Sequence, residues 1–280
     1  MGSPYIIRPG DTLCSIAHDH GVPMGVLATL NGIANPAQIR AGRSIALPSM
    51  TSDTDEAHAV RPEPLVIPVG APPIDRRLRL ARGQYFREQL KKDLIVLHFT
   101  AGTTAAGAYE SWQSTPVEVG TAYILDRDGT IYETFPGECW AYHLGIDGAE
   151  SAGHRHDKRS IGIEIVNPGG LKRRGDTLFW WPQNYSTVWC PIHESGKFHE
   201  SNYRGIDYWA TFTMQQYVAL PFLVRWLQKV HGIHGHLLAE DRRGGMDWGF
   251  FRDFQGVASH QNFRADKTDI GPAFDWSVLG

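Results

Sequence analysis

The sequence predicts an α/β (α+β) fold, a mixed central β-sheet flanked by helices, joined to a small domain of βααβ order. Three observations carry this. Residues 94–99 and 160–166 are apolar runs interrupted only near their ends, the pattern of strands buried on both faces. Residues 122–135 read as a hairpin turning at Asp128 and Gly129. Residues 213–230 read as a long helix, with Thr213 and Gln216 at capping-box spacing and a bend expected at Pro221.

The small domain is residues 1–48. Y-I-I-R-P-G-D-T-L opens it as a strand, S-I-A-H-D-H-G-V and V-L-A-T-L-N-G-I follow as helices, and I-R-A-G-R-S-I-A-L-P closes it as a strand. Asp11 or Thr12 can cap the first helix and Gly21 can end it. Residues 49–80 are expected to be a linker, because the stretch from Ser49 is rich in Ser, Thr, Asp and Pro and lacks a helical or strand period. Its apolar residues Leu65, Val66, Ile67 and Val69 leave open an ordered extended segment instead. Residues 81–280 form the larger domain. Within it, residues 167–210, with many Trp and Tyr, and residues 237–256, rich in Arg, Gly and Phe, are candidates for groove walls, a lid or packing.

A chain of 280 residues, 42% hydrophobic and 20% charged, can bury a sizeable core. Its net charge of -3 supplies no global basic field for nucleic acid, and no apolar run approaches a membrane span. The opening M-G-S-P-Y-I-I-R-P-G has no basic region followed by an apolar one, so no signal peptide is expected. Cys14, Cys139 and Cys190 are too few and too widely spaced for a disulfide framework and are read as free thiols.

The chemistry concentrates in two places. His98 follows Leu94, Ile95, Val96 and Leu97, where a buried strand reaches a loop, and residues 258–276 bring His260, Lys267 and Asp269 into one irregular stretch. Two imidazoles and a carboxylate suit zinc, and three protein ligands leave a fourth position for water, as in catalytic sites. Glu164 is a carboxylate near the end of an apolar strand, where burial is costly without a purpose. Structural roles stay open: a core histidine at His98, an ion pair at Glu164, a solvated charge at Lys267, a turn cap at Asp269. His231, His234 and His236, and the pair Cys190 with His193, lack further ligands at zinc-finger spacing; His154 and His156 are expected to be exposed.

L-H-F-T-A at His98, V-G-T-A-Y-I-L-D-R-D-G-T-I-Y from Val119, W-A-Y-H-L-G from Trp140, S-I-G-I-E ending at Glu164 and the His260, Lys267, Asp269 cluster stand in the order found in zinc-dependent N-acetylmuramoyl-L-alanine amidases, which residues 92–278 resemble. The resemblance implies Zn2+ on His98, His260 and Asp269, Glu164 as general base, Lys267 as oxyanion stabiliser, and His143 beside the substrate. Two departures bear on Asp269: its spacing of nine from His260, and Ile270 where a proline is more usual, with Asp266 the substitute ligand. Glu164 favours the branch resembling bacterial recycling and turnover amidases. G-D-T-L at Gly10, Asn31 and N-P-A-Q-I-R-A-G from Asn35 resemble a LysM module, which implies binding of N-acetylglucosamine-containing glycan around Gly10, Asp11, Thr12, Asn35 and Ile39.

The expected function is therefore a peptidoglycan hydrolase that cuts the amide between N-acetylmuramic acid and L-alanine. A noncatalytic peptidoglycan-binding protein and a zinc peptidase cutting within the stem peptide are the alternatives. Action on the cell wall without a visible signal peptide implies nonclassical export, delivery by a secretion system or phage lysis, with an immunity protein as a further partner if the chain is a delivered toxin.

Overall fold

The computed structural model describes residues 4–8, 11, 13, 16, 20, 27, 31, 33, 39–47, 70–146 and 152–280. The chain divides into two compact units, Met1–Pro68 and Val69–Gly280. In the first, β1 (Pro4–Ile6) pairs antiparallel with β2 (Ser44–Ala46). Leu13, Ile16 and Leu27, on the two expected helices, are helical and buried with Ile7 and Ile45; most other helix positions, with Gly10, Thr12, Cys14 and Asn35, lie outside the described residues. Asn31 ties the second helical stretch to β2: its Nδ2 donates to the carbonyls of Leu27 (2.8 Å) and Ala46 (2.9 Å), and its Oδ1 accepts from Ala46 N at 2.6 Å.

The second unit is built on a six-stranded mixed sheet. Its members are β3 (Ile74–Asp75), β4 (Leu94–Phe99), β5 (Tyr123–Leu125), β6 (Ile131–Glu133), β7 (Ser160–Ile165) and β13 (Gly256–Ser259), in spatial order β13-β4-β7-β5-β6-β3. β13, β4, β7 and β5 run parallel, and β5 turns back antiparallel into β6 as the hairpin expected at Asp128 and Gly129. Both faces are covered, which explains the continuous apolar runs. Tyr123 and Leu125 join one core with Leu220, Leu223, Val224 and Leu227 of α2 (Met214–His231); between them Ile124 joins another with Ala105 of α1 (Ala105–Gln113). The helix α2 starts with the expected capping box, Thr213 and Gln216 satisfying each other's backbone N–H groups. Gln216 also donates to Val166 O at 2.8 Å, which fastens the helix start to the end of β7.

The expected linker boundary needs correction. Residues 70–80 belong to the folded unit, because the edge of β6 takes Ile74 and Asp75 as a parallel partner and Leu80 enters the core. Glu133 of β6, nearly buried, holds the following segment by accepting from Arg76 Nε at 2.8 Å and from Arg79. Residues 167–210 fold as a sheet. They contain β8 (Gly170–Arg174), β9 (Thr177–Trp180), β10 (Thr187–Pro191), β11 (Phe198–Tyr203) and β12 (Ile206–Ala210), an antiparallel sheet with its own core around Leu171, Leu178, Cys190 and Ala210. Residues 237–256 carry the short helices Glu240–Arg243 and Trp248–Phe251. Cys139 and Cys190 are buried free thiols. No described helix is long and apolar enough to cross a membrane.

Candidate active site and metal centre

Ligands gather at the carboxyl ends of parallel strands, where an open α/β sheet leaves its crevice. His98 and Glu164 are register partners on β4 and β7, so they lie side by side near those ends. On the other flank Ser259 of β13 pairs with Leu97, and the chain enters a 3-10 turn whose first residue is His260. Asp269 returns to this turn, its carbonyl accepting from Gln261 N at 2.8 Å.

Three ligand atoms converge. Nδ1 of His98 and Nδ1 of His260 are 3.0 Å apart, and Asp269 Oδ2 lies 3.3 Å from the first and 3.0 Å from the second. In a tetrahedral zinc shell two N or O ligands are separated by about 3.3 Å, so the triangle has the size of one tetrahedral face. The other ring nitrogens are already committed. His260 Nε2 lies 2.8 Å from the Leu144 carbonyl, which fixes the proton there and bares Nδ1. His98 Nε2 lies 2.9 Å from His143 Nδ1, His143 Nε2 lies 2.8 Å from Ser160 Oγ, and Ser160 donates to the His156 carbonyl at 2.5 Å. Protons assigned along this chain leave Nδ1 of His98 bare as well. Two lone pairs and a carboxylate oxygen at this separation repel unless a cation lies among them, so the residues fit a zinc ion. Among the described residues, this is the group of three or more His, Cys, Asp or Glu placed to hold a metal.

Electrostatics agree with that reading. Burial, then the neighbouring His260, pushes His98 down to about 4, leaving it neutral at pH 7 as a metal ligand requires. Burial alone would raise Asp269; in the metal-free protein, positive charge and hydrogen bonds from the His260 and His98 imidazoles outweigh it and hold the carboxyl below its ordinary range, a role that a bound cation would take over with both Nδ1 atoms bare. Burial, then the charge of Asp269, pushes Glu164 up to about 8, against the opposing pull of Lys267. Carboxylates with such divergent environments are the usual mark of distinct roles in one site.

His98, Glu164, His260, Lys267, Asp269 and His143 line a single cavity of ≈ 320 Å³, with Phe99, Trp112 and Tyr142 among its walls. The candidates expected in the larger domain thus lie around one space. His143 lines the cavity while its ring nitrogens serve His98 and Ser160. Asp266, the substitute ligand, also borders the cavity, but its exposed carboxylate pairs with Arg264 at 2.7 and 2.9 Å and is not in the converging triad. Asp11 in the first unit accepts from Tyr5 Oη and Arg8 N, both at 2.7 Å, which makes its carboxylate a turn-fixing group. His156 is buried rather than exposed, its Nε2 3.2 Å from the Arg252 carbonyl. Ser160 and Gly162 were missed in the sequence. A Cβ on Gly162 would lie 2.7 Å from Thr121 Cγ2 and 3.1 Å from His143 Nδ1, so a side chain here would displace Thr121 and crowd the His143 ring. The signal was the alternation in S-I-G-I-E, which sets Ser160, Gly162 and Glu164 on one face of β7.

Comparison with known proteins agrees with the site. The N-acetylmuramoyl-L-alanine amidase model, Amidase_2, matches residues 88–272, and the LysM domain model matches residues 5–48. The N-acetylmuramoyl-L-alanine amidase XlyB of Bacillus subtilis (strain 168) is 38% identical over 73 residues, 25% of this chain and 23% of that protein, so the match spans under a quarter of its length. Among solved structures, the N-acetylmuramyl-L-alanine amidase AmiD from E. coli, in complex with anhydro-N-acetylmuramic acid-L-Ala-D-gamma-Glu-L-Lys, is 22% identical with a TM-score of 0.42, covering 72% of this chain and 59% of that one. The catalytic domain of XlyA is 14% identical with a TM-score of 0.40, covering 69% of this chain and 88% of that one. Residues 88–272 contain every side chain of the converging cluster and make up more than half of the sequence, so the chain belongs to the N-acetylmuramoyl-L-alanine amidase family.

Proposed function

We propose that this chain is a zinc-dependent peptidoglycan hydrolase that cuts the amide between N-acetylmuramic acid and L-alanine. The observation that carries the proposal is the convergence of His98, His260 and Asp269 beside the carboxylate of Glu164 in one cavity. Hydrolysing an unactivated amide needs a nucleophile stronger than water, a counter-charge for the oxyanion and a proton for the departing amine. A zinc ion held by the triad supplies the Lewis acidity, polarising the carbonyl and lowering the pKa of water to about 7.

The chain's own residues do the rest. Glu164 orients the attacking water, accepts its proton and returns that proton to the leaving nitrogen. Lys267, which also lines the cavity, places a cation against the developing oxyanion. His143 and Ser160 hold the His98 ring in one orientation and one tautomer. Trp112 and Tyr142 offer flat apolar faces for a sugar ring. The noncatalytic binding protein has less support, because a binding surface needs neither a buried carboxylate nor a completed ligand triad.

The N-terminal unit, matched by the LysM model, is the retention device in this proposal. It binds glycan around Asp11, Thr12 and Asn35, and tethering raises the effective concentration of the hydrolytic unit at the polymer. The same reading places the protein at the cell wall.

Three outcomes are expected. Glu164→Gln lowers kcat on a soluble muropeptide by about 10²-fold or more with zinc content unchanged; near-normal turnover by the zinc-loaded variant removes Glu164 as the base. Removing residues 1–48 weakens binding to intact sacculi while sparing turnover of the soluble substrate, and equal loss on both contradicts a separate tether. The third concerns the metal-free protein. Folded Glu164 keeps its proton up to about 8, whereas the unfolded chain releases it at the ordinary carboxylate value. Between about pH 5 and pH 8 the native state therefore binds more protons, and stability from this group falls as pH rises. Melting temperatures should diverge accordingly, the unaltered chain losing stability relative to Glu164→Gln across that window; a constant difference contradicts the buried, proton-holding carboxyl.

A further inference from the structure

The sheet of β8 to β12 contributes no residue to the metal triad, yet it reaches the loop that carries Lys267 and Asp269. One point of contact is the turn between β11 and β12. Tyr203 pairs with Ile206, which leaves Arg204 and Gly205 as a two-residue hairpin turn with φ of 52° and 78°. Positive φ at both central positions is the type I′ geometry, where Asn-Gly is the favoured pair and arginine is a poor choice. Arginine at this position is explained by where its guanidinium goes: Arg204 Nη1 donates to the carbonyl of Ala265 at 2.6 Å and to that of Lys267. The Tyr203 hydroxyl stands 2.7 Å from Gly244 O and 3.2 Å from Gln261 Oε1. Trp209 of β12, only 1% exposed, lies under the far end of the loop, where a Cβ on Gly271 would come within 3.2 Å of its ring. The added sheet thus grips residues 261–271 at three points, and Arg204 holds the carbonyl of Lys267 itself and that of Ala265.

We propose that Arg204 is a positioning residue: from the added sheet it fixes the backbone of residues 265–267, and through that backbone the placement of Lys267 and Asp269 in the cavity. Its catalytic part rests on the amidase reading above. Arg204 itself is absent from the cavity lining, so it acts on the loop and not on the substrate. The proposal also accounts for residues 167–210, whose sheet becomes a brace for the site's most irregular segment.

The decisive variant is Arg204→Asn. Asparagine suits the type I′ turn better than arginine, so the hairpin and the melting temperature are retained, but the side chain is too short to reach Ala265 O or Lys267 O. In the full-length zinc-loaded chain, Arg204→Asn should speed amide hydrogen exchange in residues 264–271 by about tenfold and leave the central strands unchanged. It should lower kcat on a soluble muropeptide by about ten- to a hundredfold, with KM within about twofold, because the loss is of catalytic geometry and not of substrate contact. Arg204→Lys, which keeps a donor within reach of the carbonyls, should restore part of both. Unchanged exchange, or faster exchange with unchanged kcat, overturns the positioning role. If the unaltered chain hydrolyses no muropeptide, the amidase reading is what fails, while the exchange measurement still decides whether Arg204 holds the loop.

Discussion

The register between two parallel strands governs the site. β4 and β7 pair so that His98 stands beside Glu164, and β13 joins the other edge of β4 one step short of His260. A slip of one residue in either pairing would turn His98 or Glu164 to the opposite face of the sheet. The register is held by burial on both faces: Leu94, Ile95, Val96 and Leu97 are fully enclosed, as are Ile161, Ile163 and Ile165 across from them. A hydrophobic constraint therefore sets the distance between polar groups that have no other reason to meet.

Behind the converging atoms, polar order replaces apolar packing. His98, His143, Ser160 and the His156 carbonyl form a directed chain of hydrogen bonds with each donor matched to one acceptor, and His260 ends on the Leu144 carbonyl. Such a chain fixes ring orientation and tautomer together, which buried imidazoles otherwise leave undetermined. It terminates on main chain, so the proton positions depend on the fold and not on a second titrating group. The Asp157 carboxylate strengthens this corner by accepting from the N–H groups of His143 and Leu144, both at 3.0 Å. The site thus joins a rigid half, built on strands, to an irregular half, residues 260–271, which the added sheet and the 242–245 carbonyls secure through Gln261 and Asn262.

Much of this was legible in the sequence because the signals were local. The strands at His98 and Glu164 announced themselves as apolar runs, the helix from Thr213 by its capping box, and the hairpin by Asp128 and Gly129. The triad was expected from its residue types together with the ordered motifs that resemble the amidase family; on the residues alone, a structural role for His98 stayed open. What failed to show depended on partners far along the chain. Residues 74–75 look like linker until the edge of β6 offers them hydrogen bonds, and His156 looks exposed until Arg252 supplies its carbonyl. The added sheet hid behind short strands with exposed faces and tight turns, such as Arg204 and Gly205, whose residues obey a distant contact more than a turn preference. Ser160 and Gly162 were visible only as an alternation, and their meaning required His143 opposite.

Mass spectrometry of purified muropeptides, incubated with the protein, then with a chelator, then with zinc restored, tests the central claim most directly. Release of free stem peptide beginning at L-alanine, lost with chelator and recovered with zinc, is the result this account predicts. Intact muropeptides that nonetheless bind, or a cut inside the stem peptide, would contradict it.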